Sequence, residues 1–349
     1  VNAFKPHLAN PADYPYVRSD ARVKLDQNES PEDLPPELKA RAVERLARLP
    51  WNRYPELNAE DVLAAVAKHE GWDERGVVLS PGSNVLILAL ATAARTVLDT
   101  IPAFPYYHGG AEAAGTPWRG IPLGPEFELP TAALLEAMGD RAGPGVLFLT
   151  NPHAPTGRLF EAADIEALAK RAAEKDWLFV VDEAYQAFSG TDYRGLARKN
   201  PNVAVLRTFS KSWSLGGVRA GYLLASPEVA AVARACVAPF RIPVHTTAIL
   251  LSVLESPGYI APMVERIRAE RERLREALTR ETRWRVYPSA TNFLLVRTAD
   301  AAATQAKLLE RGILVRRQDH SPVMKGCVRI TVGSPAENDA LIEAARGMG

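Results

Sequence analysis

The chain has 349 residues, 47% of them hydrophobic and 24% charged, with a formal net charge of +1. That length suits two domains, and the composition suits a soluble globular protein with a large core. A net charge near zero offers nucleic acid or an anionic membrane no bulk attraction, and no apolar run reaches the length of about eighteen residues that a span requires. The opening segment, "VNAFKPHLANPADYPYVRSD", lacks the apolar core of a secretory signal, so a cytoplasmic location is expected. Cys236 and Cys327 fall in no motif and are expected to be buried and reduced.

The first forty residues, rich in proline and charge, read as an extended arm. A first helix is expected around "PELKARAVERLARL", where apolar residues recur at helical spacing. From about residue 60 to residue 230, helical stretches such as "AEDVLAAVAKHEG" and "AADIEALAKRAAEKD" alternate with short apolar runs. Those runs are "GVVLS", "TVLDTI", "GVLFLT", "WLFVVD" and "VAVLRT"; "SNVLILALATAART" between them reads as a buried helix. Strands that are apolar throughout are covered on both faces, which predicts a mostly parallel sheet between helices. After "APFRIPVH" come a long charged helix, "PMVERIRAERERLREALTRE", the strand "NFLLVRT", the helix "ATQAKLLERG", the strands "ILVRR" and "CVRITVG", and a final helix. This reads as a second, smaller α/β unit.

Several apolar runs end in polar residues: Thr150-Asn151, Asp182-Glu183, and Thr208 leading to Lys211. Ligands of open α/β sheets sit outside the carboxyl ends of the strands, so these clusters are predicted to meet in one crevice. In "RTFSKSWSLGGVRAGY", Lys211 has small neighbours and an arginine, Arg219, eight residues on. Desolvation or that nearby cation would lower the pKa of the amine and make it a nucleophile; a solvated turn lysine is the alternative. Asp182, closing a buried run, needs a partner such as a protonated pyridine nitrogen, unless it caps a helix. Tyr185, three residues later, can reach a hydroxyl on the same ring.

In "LSPGSNVLILAL" a turn opens a helix at Gly82, Ser83 and Asn84, and open amides there suit a phosphate. Phe104 of "IPAFPYYHGG" either stacks on an aromatic ligand or packs in the core. The X-Pro bonds of "NPHAPTG" are candidates for the cis form. Arg316 and Arg329 lie in apolar strands, where arginine is costly unless it meets an anion. Two of them aimed at one pocket would bind a carboxylate or phosphate, although either could instead be a structural ion pair.

The order and spacing of "KLDQNESP", "WNRYPE", "SPGSN", "PTG", "DEAY", "SKSWSLGGVRAGY" and "VRRQ…GCVRITVG" resemble the class II, fold type I pyridoxal-phosphate-dependent aminotransferases over nearly the whole chain. Two arginines thirteen residues apart around a Gly-Cys bring it nearest to the branch that acts on histidinol phosphate. The resemblance implies an α/β fold, with a mostly parallel seven-stranded sheet in a large domain and a smaller α/β C-terminal domain. Residues 1–40 would be an arm packed on the small domain, 41–240 the cofactor-binding domain and 241–349 the small domain.

Pyridoxal 5'-phosphate is the implied cofactor. By the resemblance, Lys211 would hold it covalently and shuttle a proton, Asp182 would pair with the ring nitrogen, and Tyr185 would bond its O3′. Gly82, Ser83, Asn84, Ser210 and Arg219 would cradle the phosphate, Phe104 would stack on the ring, and Asn151 would lie against it. Tyr54 would reach the phosphate of a partner subunit in a homodimer. Tyr16 and Asn28 would close over the substrate, and Arg329, helped by Arg316, would bind its anion. No metal is implied.

The implied reaction is a ping-pong transamination between histidinol phosphate and 2-oxoglutarate. Aromatic or broad-specificity transamination and decarboxylation of a phospho-amino acid are the alternatives on this fold. A non-catalytic effector domain would need a DNA-binding segment, and the arm is too short and insufficiently basic for one.

Three stretches depart from the family pattern. Ala154 stands where the family usually has an asparagine bonding O3′, leaving that bond to Tyr185 alone or to Asn151 or His153. The arm reads "NESP" rather than "NENP", and "APFRIPVH" replaces a Pro-Tyr-Asn.

Overall fold

The structure, a computed structural model, describes Leu8 and residues 18–139 and 143–349. In chain order the strands are β1 (Val23–Leu25), β2 (Val77–Ser80), β3 (Val97–Ile101), β4 (Trp118–Pro122), β5 (Val146–Thr150) and β6 (Leu178–Asp182). They continue with β7 (Val203–Thr208), β8 (Gly221–Leu224), β9 (Arg285–Val286), β10 (Phe293–Arg297), β11 (Ile313–Arg317) and β12 (Cys327–Thr331). All five apolar runs of the first unit are strands of one sheet, in the order β2-β8-β7-β6-β5-β3-β4. Only β8 is antiparallel to its neighbours.

Alternation along the strands feeds two apolar layers. Leu147, Leu149, Phe179, Val181 and Val205 pack into one; Val146, Phe148, Val180 and Leu206 pack into the other. Covering helices, among them Ser83–Ala93 with Leu86, Ile87 and Leu90 buried, close both faces. Two strands carry no such signal. β4 is an edge strand with only Ile121 buried, and the apolar run of β8 is hidden behind a Gly- and Arg-rich turn.

The smaller sheet runs β1-β11-β12-β10-β9, with β1 parallel to β11 and the other pairs antiparallel. β1 comes from the N-terminal arm, so the chain preceding the first helix is hydrogen-bonded into the C-terminal sheet. The long helix Ile260–Glu281 buries Met263, Val264, Ile267, Leu274 and Leu278 and pairs charges along its outer face, as in Glu265–Arg268 and Glu270–Arg273. Helix Val244–Leu254 packs on helix Pro36–Arg48, and its Leu250 and Val253 join the core over the large sheet.

Among the described residues no single helix is long and apolar enough to cross a membrane. Both cysteines are free, but only Cys327 is buried. Cys236 is exposed because it caps the surface helix Pro227–Ala235, correcting the expectation of a buried pair.

The topology decides where chemistry can occur. The chain runs from β3 outward to β4, then returns on the other flank of β3 at β5, which makes a switch point at the carboxyl ends of the strands. The loops after β2, β3, β5, β6 and β7 all open on that edge. Because β8 is reversed, the residues just before it, including Arg219, lie on the same edge.

Candidate active site

At one end of the crevice, Gly82 caps helix Ser83–Ala93 with φ 84°, and no side chain caps the first-turn amides. Arg219, itself left-handed at φ 57°, donates from Nη1 to Ser210 Oγ (3.3 Å) and to Gly216 O (3.0 Å). A Cβ on Gly82 would stand 2.6 Å from Arg219 Nη2, and one on Gly221 would stand 2.6 Å from Ser83 N. Two glycines thus let a guanidinium approach a helix N-terminus, producing a cationic cradle with open N–H groups. Ser83 and Asn84 supply the first turn.

In the middle, Asp182 closes β6 and is buried. Its Oδ2 accepts from Tyr107 Oη at 2.7 Å and its Oδ1 from Ala184 N at 3.0 Å. Thr150 Oγ1 lies 2.7 Å from the same Tyr107 hydroxyl. With the tyrosine proton committed to Asp182, the threonine is the donor in that pair. Burial raises the proton affinity of Asp182, and the Tyr107 and Ala184 bonds oppose it; the balance is about 6. Phe104 lies just past β3, edge-on to Tyr107 with ring centroids 5.7 Å apart, and Tyr107 stacks on Phe148.

Lys211 stands at the floor of the crevice, enclosed by protein on most sides yet reachable from its mouth. Its Nζ donates to Gln27 O at 2.9 Å and lies 6.0 Å from the Tyr185 ring centroid. Burial lowers its pKa to about 7; Arg329 and Arg219 add to that, while Glu29 opposes it. A lysine so placed holds a substantial fraction of its amine neutral near neutral pH, unlike an ordinary solvated lysine.

The arm and the smaller sheet supply the far wall. Asn28, left-handed at φ 54° and buried, donates from Nδ2 to Tyr185 Oη at 2.9 Å, and its backbone N–H donates to Thr331 Oγ1 at 2.9 Å. Arg316 and Arg329 stand directly opposite each other across β11 and β12. Arg329 donates from Nη2 to Asp26 O at 2.6 Å and lies over the Phe293 ring. Consecutive carbonyls of the arm, on Asp26 and Gln27, therefore face Arg329 and Lys211.

Two expectations are corrected. Asn151 does not turn its amide to the crevice. Its Nδ2 donates to Tyr193 Oη (2.9 Å), and its Oδ1 accepts from Phe160 N (3.0 Å), which fixes the loop. His153 is equally committed, between Thr156 Oγ1 at 2.8 Å and Thr100 Oγ1 at 3.3 Å. Neither can stand in for the missing asparagine. Ala154 instead packs with Tyr185, Phe188 and Phe293 in an apolar cluster. The bonds before Pro152 and Pro155 are both cis.

Tyr54 is 84% exposed and packs against Phe240. Tyr16 lies outside the described residues.

Sequence reasoning missed Tyr107 and a buried ion cluster. Tyr107 is three residues past Phe104 and so falls on the same helical face, a spacing that could have marked it. The cluster joins Arg207 to Glu183 Oε2 (2.6 Å from Nη2) and Glu70 Oε2 (2.6 Å from Nη1), with Tyr222 Oη donating to Glu70 Oε1 at 2.5 Å. It ties the residue after Asp182 to the strand leading to Lys211. Glu70 lies more than a hundred residues away in sequence, and no local pattern marks it as a partner.

The family model for aminotransferase class I and II matches residues 21–344. The chain is 47% identical over 334 residues to histidinol-phosphate aminotransferase of Deinococcus radiodurans, covering 95% of this chain and 92% of that one. It is 36% identical to the enzyme of the same name from Methylibium petroleiphilum, covering 96% and 91%. The crystal structure of histidinol-phosphate aminotransferase from Sinorhizobium meliloti, in complex with pyridoxal-5'-phosphate, superposes with a TM-score of 0.87 at 23% identity, covering 99% and 97%. The chain belongs to the class I and II aminotransferases, built on the α/β fold of the fold type I pyridoxal-phosphate-dependent enzymes.

Proposed function

We propose that the chain is a pyridoxal-phosphate-dependent aminotransferase that moves an amino group between glutamate and the keto form of histidinol phosphate, reversibly. The observation that carries the substrate class is the Arg316–Arg329 pair. Like charges directly opposed across strands are unfavourable, and an anion between them relieves the repulsion. A substrate carboxylate and a substrate phosphate can use that site in turn. The relatives at 47% and 36% identity support the reading.

The residues present fit the cofactor. Gly82, Ser83, Asn84, Ser210 and Arg219 would hold its phosphate, Asp182 its ring nitrogen, Phe104 a ring face and Tyr185 its O3′. When bound, pyridoxal phosphate supplies an electron sink for charge developing at the substrate Cα. Asp182, pushed up to about 6 by burial, can share a proton with a ring nitrogen and keep it there. The Lys211 amine, pushed down to about 7 by burial and by Arg329, is the base that takes and returns the Cα proton. Asn28 donates to Tyr185, so the tyrosine keeps its own proton to donate. With Asn151 and His153 committed elsewhere, Tyr185 alone serves O3′, which costs on the order of 1 kcal/mol against two donors.

Trp51, Tyr54, Leu57 and Phe240 are large exposed apolar side chains, with the Tyr54 and Phe240 rings packed at a tilt and Phe240 N bonded to Leu57 O. That surface suits a second subunit, with Tyr54 reaching the phosphate of the partner's cofactor. Tyr16 would close over the substrate from the arm. We place the enzyme in the cytoplasm, where both free cysteines stay reduced.

The cradle has its own test. In Gly82→Ala the new Cβ would press on Arg219 at a backbone angle that L residues rarely adopt. Strain of about 1–3 kcal/mol translates into pyridoxal-phosphate affinity weakened about ten- to a hundredfold in a fluorescence titration.

Substrate class is tested by steady-state comparison of histidinol phosphate with phenylalanine as amino donor. Phenylalanine offers its carboxylate to the same two arginines but has no imidazole, so a site shaped for the imidazole predicts a kcat/KM at least about tenfold higher for histidinol phosphate. Equal values would remove the specific assignment, and release of CO2 without a keto acid would make the protein a lyase.

A further inference from the structure

Asp26 extends the charged row formed by Arg316 and Arg329. β1 lies in parallel register with β11, Leu25 beside Val315, and both side chains are buried in the core of the smaller sheet. Arg316 follows Val315 on β11, and Asp26 follows Leu25 in the bend just past the end of β1. Arg316 in turn stands opposite Arg329 on β12. An acid just past β1 thus lies near two bases on the neighbouring strands β11 and β12, and its backbone carbonyl accepts from one of them.

Asp26 is 4% exposed, and among the described residues its Oδ1 has no hydrogen-bond partner. A buried carboxylate in that condition is costly to keep. Burial raises its proton affinity, while Arg316, Arg329 and Lys24 pull it down through space. Its own carbonyl accepts from Arg329, and the next carbonyl accepts from Lys211, so it lies one residue along the chain from a contact of the reactive amine.

We propose that Asp26 is a specificity-determining residue of the anion site: its charge offsets one of the two arginines, so that carboxylate and phosphate bind with comparable strength and each is released in turn. This rests on the reading of Arg316 and Arg329 as the substrate-anion site. Coulomb energy scales with ligand charge, so removing the Asp26 charge favours a dianion twice as much in energy as a monoanion. For a crevice open to water that amounts to about threefold for a monoanion and about tenfold for a dianion.

The test uses the pyridoxal-phosphate-loaded enzyme with glutamate as amino donor, at about pH 8, where inorganic phosphate is a dianion. Inhibition constants for inorganic phosphate and for acetate are measured in wild type, Asp26→Asn, Asp26→Ser and Asp26→Glu. Both neutral variants are expected to raise the preference for phosphate over acetate about threefold, while Asp26→Glu keeps the wild-type ratio. A ratio unchanged in Asp26→Asn and Asp26→Ser, with melting temperatures at the wild-type value, overturns the proposal. Because inert anions are read against glutamate, a failure to turn over histidinol phosphate would count against the substrate assignment and leave the role of Asp26 intact.

Discussion

Lys211→Ala is expected to lower transamination by about 10,000-fold or more, since under the proposed function it removes both the covalent anchor and the proton carrier. The geometry gives the loss its cause. Among the described residues, Lys211 is the amine that burial, Arg329 and Arg219 together depress to about 7. Lys211→Arg is expected to fail as completely, because a guanidinium stays protonated at any working pH.

The same depression has a kinetic signature in the wild type. Apoenzyme mixed with pyridoxal phosphate should develop visible absorbance at a rate that rises with pH through about 7, as the amine loses its proton. Lys211→Ala should show no such covalent signal. Retention of more than about one per cent of wild-type kcat by that variant would falsify the assignment of the proton transfer to this residue.

Arg207→Ala is expected to be the most damaging change to stability outside the crevice. Arg207 is buried and holds Glu183 through Nε and Nη2 and Glu70 through Nη1. Removing it leaves buried Glu183 without a cation and leaves Glu70 with Arg194 alone, a loss of about 3–5 kcal/mol by urea unfolding.

The pH dependence follows from Glu183, whose pKa burial raises to about 7 even with Arg207 in place. A carboxylate raised above its unfolded value binds more protons in the native state, so its contribution is present at low pH and is lost as pH rises through the folded pKa. Without Arg207 the native pKa moves higher still, and the deficit should be larger at pH 8 than at about pH 5. An equal deficit at both would show that Arg207 does not set the native pKa of Glu183. Activity should fall as well, since Glu183 follows Asp182 directly and Arg207 opens the turn that carries Lys211.

Much of this protein is legible in its sequence. Buried strands must be apolar at every position, so "GVLFLT", "WLFVVD" and "VAVLRT" announced a covered parallel sheet, and their polar ends announced the crevice. Asp182 was marked by burial that is costly for an unpartnered carboxylate, whereas Lys211 and Arg219 stood out only once motif spacing joined them to a family. Edge strand β4 and the short strands β1 and β9 gave no such signal, because pairing partners rather than their own residues hold them.

Contacts between distant segments were decided only by the tertiary structure. Asn151 and His153 had the right chemistry to replace the asparagine absent at Ala154, but Phe160, Tyr193, Thr156 and Thr100 take their hydrogen bonds. Tyr107 reached Asp182 because β3 and β6 flank β5, and Asp26 came beside Arg316 because β1 crosses to the far sheet. The sequence by itself determined which side chains could do the chemistry, since charge, amine and ring are properties of residues. Which of them were free to do it depended on who bonds whom across the fold, because a buried polar group takes whatever partner the packing brings within reach.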